Sequence, residues 1–556
     1  MKVDGRIQIR HSDPDVVHGQ DSEVISHGAE ITRDRLPFAP MADLLVQRAR
    51  LVPLKDRKRG AGHSGDNLMD LLIRDGVIEA VAPSGQIIAP RGVPVLDADG
   101  RWAIPGLWDQ HVHMTQWALS YTRLDTSSAS SVDEACALVT HALRTGAGHT
   151  PTGMLTGIGH RCAGWAEQPR VTALDAVSGE TPVVLISGDC HHGWANTAAQ
   201  DMLGVPRRDD AIAEDEWFDV YARLDALPGS QQEAEGSMDL AVRRARELGV
   251  VGIVDLEFAR PWEQWPQRYA AGVGPLRVRT GVYPARLEEV IDLGWSTGTV
   301  IPGTDGLVTQ GPLKIISDGS LNTRTAWCCE PYADGAALAD PSGKANLSVN
   351  EMIELVSRGH AHGLHAALHA IGDAAVNAVL DVFEVTGATG TVEHAQLLRP
   401  ADLPRWATLP VTASVQPAHL LDDRSVTQQC WPDRAERTFM VAELLRAGIP
   451  VTLGSDAPVA RLDPWLAMAT AVHRGPLDEP GWHDEQALNP AQAMAASVDG
   501  QRLAAGSRGD VVLLDDNPYA EGTPADQART LAMMSVGATV LAGDVVAGEA
   551  FAAQMQ

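Results

Sequence analysis

Two histidines one residue apart, His111 and His113, end the apolar stretch that begins at Ala103. In an extended strand, residues i and i+2 point to the same face, so the two imidazoles can bind one metal ion. A His-x-His pair alone is weak evidence, because it also occurs as an ordinary polar pair. The prediction gains weight from further candidate ligands at the ends of later predicted strands, namely Lys314, His369, His394 and Asp456.

These residue types indicate a particular chemistry. Imidazoles and carboxylates suit zinc and related divalent ions, and an open coordination position turns bound water into a nucleophile near neutral pH. Lys314 needs a separate argument, because an ammonium group cannot bind a cation. Its alternative interpretation is a buried or ion-paired lysine.

Strand-like and helix-like segments alternate over most of the chain, and the candidate ligands lie on or near strand ends. Eight strands separated by helix-length segments indicate an α/β fold of the (β/α)8 TIM-like barrel type, whose catalytic groups lie at the carboxyl ends of the strands. The predicted strands are the His-x-His strand, Val250–Asp255, Leu276–Tyr283, Leu313–Asp318, Leu364–His369, Thr391–His394, Val411–Gln416 and Pro450–Asp456.

Local signals predict several element boundaries. The pair Asp75 and Gly76 predicts a hairpin turn between two short strands. Ser348 and Glu351 have the spacing of a capping box at the start of a helix. Asp373 is predicted to be the N-cap of the next helix, which gives it a structural role.

The two ends of the chain differ from the alternating pattern of the middle. Both ends predict short β-strands, and we expect them to form one small β-sandwich together. The segment after the first barrel strand is too long for one crossover, so we expect an insertion that covers the barrel mouth. The predicted organisation is a poorly ordered extension (1–40), a composite β-sandwich (41–104 and 503–556), a barrel (105–114 and 249–502) and an insertion (115–248).

Composition limits the range of partners. The 556 residues carry a formal net charge of −28, which argues against nucleic-acid binding because phosphates are repelled. No apolar run approaches the length that crosses a bilayer, and the six cysteines are scattered as reduced cytoplasmic thiols are. We therefore expect a cytoplasmic protein that binds a small molecule and neither nucleic acid nor membrane, with a homodimer as the default oligomer.

Five segments of the chain carry a resemblance to a known family. They are Pro105–His113, Pro312–Ala326, His369–Asp373, Val392–Gln396 and Leu453–Val459. These five motifs, in the expected order, make the chain resemble the amidohydrolase superfamily. The resemblance is specifically to the amidohydrolase family 3 group, which includes N-substituted formamide deformylases, and it covers nearly everything from Met41 to the C-terminus.

The resemblance implies a hydrolase with two divalent metal ions, for which zinc is the first candidate. It implies that a metal-bridging hydroxide attacks the carbonyl of an amide or related C–N bond, with Asp456 as general base and then general acid. Lys314, once carbamylated by carbon dioxide, becomes a carboxylate. The implied ligands are His111, His113 and Asp456 for one ion, His369 and His394 for the other, and carbamylated Lys314 as the bridge between them.

Part of the insertion resembles the family's Asp-Gly-His segment with a downstream asparagine. In Ser187–Asn196, Cys190 stands where glycine is usual, a departure that bears on the local backbone shape. We predict that Asp189 and His191 bind substrate, and we interpret His192 as structural.

Two further features have open interpretations. Arg324 is a candidate for binding a substrate anion, or it pairs with a neighbouring acid. Trp117, Trp165 and Trp194 either wall an apolar substrate pocket or serve packing.

Two alternative functions stay open. A mononuclear deaminase of the same superfamily resembles a pattern with glutamate three residues after the strand-five histidine, where this chain has Gly372. The second alternative is a catalytically inactive binding protein that keeps the fold, although all six candidate ligands are present.

Overall fold

The computed structural model describes residues 42–54 and 67–548. The predicted extension, residues 1–40, lies outside the described residues. The first strands follow one another closely along the chain. They are β1 (Leu44–Leu51), β2 (Met69–Arg74), β3 (Val77–Pro83), β4 (Val95–Asp97) and β5 (Trp102–Pro105).

The first barrel strand, β6 (Leu107–Val112), leads into α1 (Met114–Ser120) and then into the insertion. The insertion has its own five-stranded sheet, in the order β11-β10-β9-β8-β7. Alternate residues of β9 enter two different hydrophobic clusters, so helices cover both faces of this sheet. Its elements are β7 (Leu124–Asp125), α2 (Val132–Thr145), β8 (Leu155–His160), α3 (Val171–Ser178), β9 (Val183–Ser187), β10 (His192–Ala195), α4 (Thr197–Leu203), β11 (Ile212–Ala213), α5 (Glu214–Asp225) and α6 (Ser230–Glu247).

Seven more parallel strands complete the barrel. They are β12 (Val250–Asp255), β13 (Arg277–Val282), β14 (Val308–Ile316), β15 (Ala366–Ala370), β16 (Gly390–His394), β17 (Val411–Val415) and β18 (Val451–Leu453). The helices among and after them are α7 (Pro261–Ala270), α8 (Leu287–Asp292), α9 (Val349–Ala361), α10 (Asp373–Thr386), α11 (Leu403–Trp406), α12 (Leu420–Cys430), α13 (Val441–Arg446), α14 (Pro464–His473) and α15 (Pro490–Ala496).

The eight barrel strands pair in chain order from β6 and β12 through to β18. The ring closes where the chain after β18 meets β6, because the Asp456 amide donates to the His111 carbonyl at 2.7 Å. A Cβ at Gly454 would lie 2.9 Å from the His111 nitrogen, so this approach requires glycine. The predicted (β/α)8 barrel is confirmed, and its closing seam brings two candidate ligands together.

Both ends of the chain join in one β-structure. The last elements are β19 (Val511–Leu514), α16 (Pro524–Ala532), β20 (Val536–Leu541) and β21 (Asp544–Ala547). The strand order is β21-β20-β19-β5-β1-β2-β3, with β4 beside β1. Apolar side chains from both ends share one buried cluster, which confirms that the two termini fold together.

Two of the predicted local signals are confirmed, and one is wrong. Asp75 and Gly76 form the turn between β2 and β3, both with positive φ, and Ser348 forms a capping box with Glu351. Asp373, however, is the first residue of α10, and Gly372 is the N-cap. The Asp373 carboxylate instead has tertiary partners, because it accepts the Cys329 amide at 2.8 Å and lies 3.2 Å from Arg437.

Among the helices within residues 42–54 and 67–548, none combines the length and the apolar character that crossing a bilayer requires.

Candidate functional site

A cavity of about 410 Å³ lies where the insertion meets the carboxyl ends of the barrel strands. Strand ends supply its polar floor, and the insertion supplies much of the opposite wall. All six candidate ligands predicted from the sequence line this cavity, and we call them the barrel donor set: His111, His113, Lys314, His369, His394 and Asp456.

The barrel strands explain why distant residues meet here. Parallel strands present their carboxyl ends at one mouth of the barrel, so polar residues at those ends converge. Within the barrel donor set, His113 is 15% exposed at its side chain, and the other five residues are each buried. Buried polar groups require partners, so the arrangement is specific rather than an incidental polar surface.

The donor atoms are close enough to share metal ions. Asp456 Oδ1 lies 3.4 Å from Nε2 of both His111 and His113. Ligand atoms of His111, His394 and Asp456 all lie within 4.8 Å of one another. Lys314 Nζ lies 3.4 Å from His111 Nε2. Nitrogen and oxygen donors at this spacing fit divalent zinc-like ions.

Two buried carboxylates orient histidines of the donor set. Glu393 Oε2 lies 2.7 Å from His111 Nδ1, and Asp318 Oδ1 lies 2.9 Å from His369 Nδ1. Each contact occupies Nδ1 and leaves Nε2 for a metal ion. This carboxylate–histidine arrangement is the one that commonly orients histidine ligands of metals.

We expect Glu393→Gln to weaken metal binding by about 10- to 100-fold, because a neutral amide holds the His111 ring less firmly and lowers its basicity. Competition with a chromophoric chelator measures the affinity. The matched control is Glu384→Gln, whose carboxylate faces Arg405 on the outside of the barrel. Equal affinity in the two variants would remove Glu393 from this role.

Electrostatics and backbone geometry both mark the site. Burial lowers the pKa of the Lys314 ammonium and lowers the pKa of His111 to about 4. Burial alone would raise the pKa of Asp456, but the adjacent histidines hold it well below the usual carboxyl range. His394 and Asp456 have φ of 70° and 57°, in a region that costs free energy for residues other than glycine.

The two predicted substrate residues of the insertion, Asp189 and His191, also line the cavity. Asp189 Oδ1 accepts from the Ser187 hydroxyl at 2.5 Å and from the His191 amide at 3.1 Å. Cys190 has φ of 61°, so it adopts the left-handed backbone that glycine would take. The departure from the family's glycine therefore preserves the turn.

The other insertion and loop candidates lie outside the residues that line the cavity. Arg324 pairs with Asp334 at 3.0 Å, so of its two interpretations the structure shows the one in which it pairs with a neighbouring acid. Trp165 and Trp194 are buried in a cluster of the insertion, and Trp117 packs against the barrel core. The aromatic wall of the cavity consists instead of Phe218, Tyr221, Phe258 and Tyr283.

His419 is a cavity residue that the sequence did not single out. Its Nε2 lies 3.8 Å from Asp456 Oδ2, and its ring stacks on that of His394 with centroids 6.1 Å apart. His419 follows the predicted strand that ends at Gln416, so its position just beyond a strand end was the available signal. Glu393 and Asp318 also lie at strand ends, where carboxylates next to histidine ligands are expected.

The chain is similar to several known proteins in sequence and in fold. The chain is 27% identical to the protein LONG AFTER FAR-RED 3 of Arabidopsis thaliana over 79% of this chain and 82% of that protein. It is 26% identical to N-substituted formamide deformylase of Arthrobacter pascens over 86% and 94% of the two chains. A crystal structure of an uncharacterized metal-dependent hydrolase from Pyrococcus horikoshii OT3 has the same fold, with a TM-score of 0.70 and 23% identity over 86% of this chain and 99% of that one.

The family comparison covers most of the chain. The amidohydrolase family model matches residues 94–547, which include the whole barrel and the whole insertion. The barrel donor set lies entirely within that span. The chain therefore belongs to the amidohydrolase family.

Proposed function

We propose that the protein hydrolyses an amide or a related C–N bond of a small molecule, using two divalent metal ions held by the barrel donor set. The observation that carries the proposal is the convergence of these side chains on one enclosed cavity. Four histidines, one aspartate and one lysine from five different strand ends have no shared structural purpose in a barrel core. Metal-assisted hydrolysis accounts for all of them.

The distribution of ligands follows the family resemblance. His111, His113 and Asp456 would hold one ion, and His369 and His394 the other, with carbamylated Lys314 between them. Lys314 Nζ lies 3.4 Å from His111 Nε2, which supports a position for Lys314 beside the ligands of the first ion. Zinc is the proposed metal because imidazole and carboxylate donors suit it.

When bound, the ions supply Lewis acidity, which activates water near neutral pH and polarises the substrate carbonyl. Asp456 takes up and returns the proton that this reaction transfers. Its Oδ1 faces His111 and His113, so Oδ2, on the side of His419, accepts the proton of the attacking water. The same atom then protonates the leaving nitrogen, which completes C–N cleavage.

The cavity wall indicates the kind of substrate. Phe258 stacks on Tyr283 with ring centroids 4.7 Å apart, and it also stacks on His113 at 5.4 Å. Asp189 and His191 provide polar contacts on the insertion side. These features support a small substrate with an apolar or aromatic group on one side of the scissile bond. The relative called N-substituted formamide deformylase supports including N-formyl compounds among the candidates.

A cytoplasmic location is part of the proposal. All six cysteines are free thiols in the structure, which is the state that a reducing compartment maintains.

Gly372 argues against the deaminase alternative. A Cβ at this position would lie 2.0 Å from the Trp327 carbonyl oxygen, which is part of the backbone. A glutamate three residues after His369 therefore does not fit here without displacement of that loop. The same close packing fixes the Gly372 amide, which donates to Asp318 at 2.9 Å.

A hydrolysis screen tests the proposed reaction. The purified full chain, loaded with zinc or with manganese, is incubated with N-acyl, N-formyl and cyclic amides and with a ring amidine, and the products are identified by mass spectrometry. We expect a carboxylic acid and an amine from at least one class. Release of ammonia from a ring amidine would favour the deaminase, and no cleavage in the whole panel with metal bound would favour the inactive binding protein.

A further inference from the structure

A second group of potential metal ligands lies in the insertion, and it shares no residue with the barrel donor set. Ligand atoms of His160, Cys162 and His192 all lie within 4.8 Å of one another. Cys162 Sγ is 3.2 Å from His192 Nε2, and the two imidazole rings are nearly perpendicular, with centroids 5.2 Å apart. All three residues line the same cavity as the barrel donor set.

The insertion sheet positions these side chains. His160 is the last residue of β8 and His192 is the first of β10, and both strands pair with β9. Cys162 begins the short 3-10 turn that follows β8. Sheet pairing therefore brings together Cys162 and His192, which are 30 residues apart in sequence.

The environment of His160 requires an explanation. The residue is completely buried. Its ring lies near the backbone of Ile186, but neither ring nitrogen makes a hydrogen bond of normal geometry to any described residue. A buried polar group in this state costs free energy, and coordination of an ion by the ring removes that cost.

Asp189 lies beside the His192 ring at ion-pair distance. Asp189 Oδ1 lies 3.7 Å from His192 Nδ1, so a carboxylate faces one ring nitrogen while Nε2 faces the Cys162 thiol. Asp189 is itself held by the Ser187 hydroxyl. A carboxylate behind a histidine is the usual support for a histidine that binds metal.

We propose that His160, Cys162 and His192 bind one divalent ion of the zinc class in the insertion. Two imidazoles and one thiolate form a donor set that selects zinc over magnesium or calcium. On binding, the Cys162 thiol loses its proton to solvent, and its sulfur becomes the third ligand. Three protein ligands leave one tetrahedral position for water or for a donor atom of a molecule in the cavity.

A competing interpretation treats Cys162 as a reactive thiol activated by His192 and Asp189. That interpretation gives no role to His160, although both nitrogens of its buried ring lack a hydrogen bond of normal geometry to the described residues. A metal ion uses all three side chains. The two interpretations also differ in whether the thiol is protected by metal.

Cobalt substitution of the full chain tests the proposal, because sulfur distinguishes the two sites. The barrel donor set contains only nitrogen and oxygen, so thiolate-to-cobalt charge-transfer absorption reports on a cysteine ligand. We expect this absorption in the unmodified protein, its loss in Cys162→Ser, and its loss or strong reduction in His160→Gln. Metal content should fall by one ion per chain in Cys162→Ser.

Cys190→Ser is the matched control, because Cys190 also lines the cavity but does not belong to the group of three. It should keep the absorption and the metal content. Alkylation of Cys162, followed by peptide mass spectrometry, should be at least tenfold slower in the zinc-loaded protein than in the metal-free protein.

The spectrum of the unmodified cobalt protein decides the matter even if a variant fails to fold. Absence of thiolate-to-cobalt absorption would overturn the proposal, and so would its persistence in Cys162→Ser. Equal alkylation rates with and without zinc would also overturn the proposal, and rapid alkylation in both states would identify Cys162 as a reactive thiol. This test is independent of the reaction in the barrel, since it reads metal binding and not turnover.

Discussion

Asp456→Asn should leave the ions of the barrel bound but lower kcat by about a thousandfold. The substitution keeps the size of the side chain and one oxygen ligand, whereas it removes the carboxylate that takes and returns the proton. Because both proton transfers use this group, the loss should appear in kcat more than in KM. Steady-state kinetics and metal analysis of the same preparation measure the two effects.

The control for this variant is Asp463→Asn. Asp463 is the N-cap of α14, and asparagine caps helices as well as aspartate does. Its kcat should match that of the unmodified protein. If Asp456→Asn retains more than about a tenth of the original kcat with its metal bound, Asp456 is not the general base.

Lys314→Met should remove one ion and lower kcat by at least about a hundredfold. Methionine fills nearly the same volume in this buried position but cannot be carbamylated, so the second ion loses its bridging ligand. Metal analysis should fall by one ion per chain relative to the unmodified protein. Nuclear magnetic resonance of protein equilibrated with 13C-bicarbonate should show a carbamate signal that the variant lacks.

Lys344→Met is the matched control, since Lys344 lies outside the cavity and is not among the buried residues. It should keep both the metal content and the carbamate signal. A carbamate signal that survives in Lys314→Met, or full metal content in that variant, would contradict the assigned bridge.

The barrel was predictable because its strands are short buried runs that end in polar residues. Leu313–Asp318 and Leu364–His369 illustrate the pattern, and β14 and β15 cover most of both. Hydrophobic burial determines where such strands lie, and the parallel arrangement then brings their ends together. The spacing of polar residues at strand ends, together with the family resemblance, was therefore enough to predict that these six side chains meet at one cavity.

Other features depend on tertiary contacts that have no local pattern. Asp373 has the residue type of an N-cap, yet its contacts with Cys329 and Arg437 hold it one position inside the helix. The group of His160, Cys162 and His192 exists because β8 and β10 both pair with β9. The local sequence does not determine which strands pair, and it does not determine the register that brings these side chains to the same place.

The central claim is that hydrolysis depends on two divalent ions in the barrel donor set. The most direct measurement is a metal titration of the chelator-treated Cys162→Ser protein, which lacks the proposed insertion ion, with turnover of a substrate from the amide panel followed at each step. We predict no turnover without metal and recovery of this variant's own maximal turnover at two ions per chain. Unchanged hydrolysis in protein shown to be free of metal would contradict it.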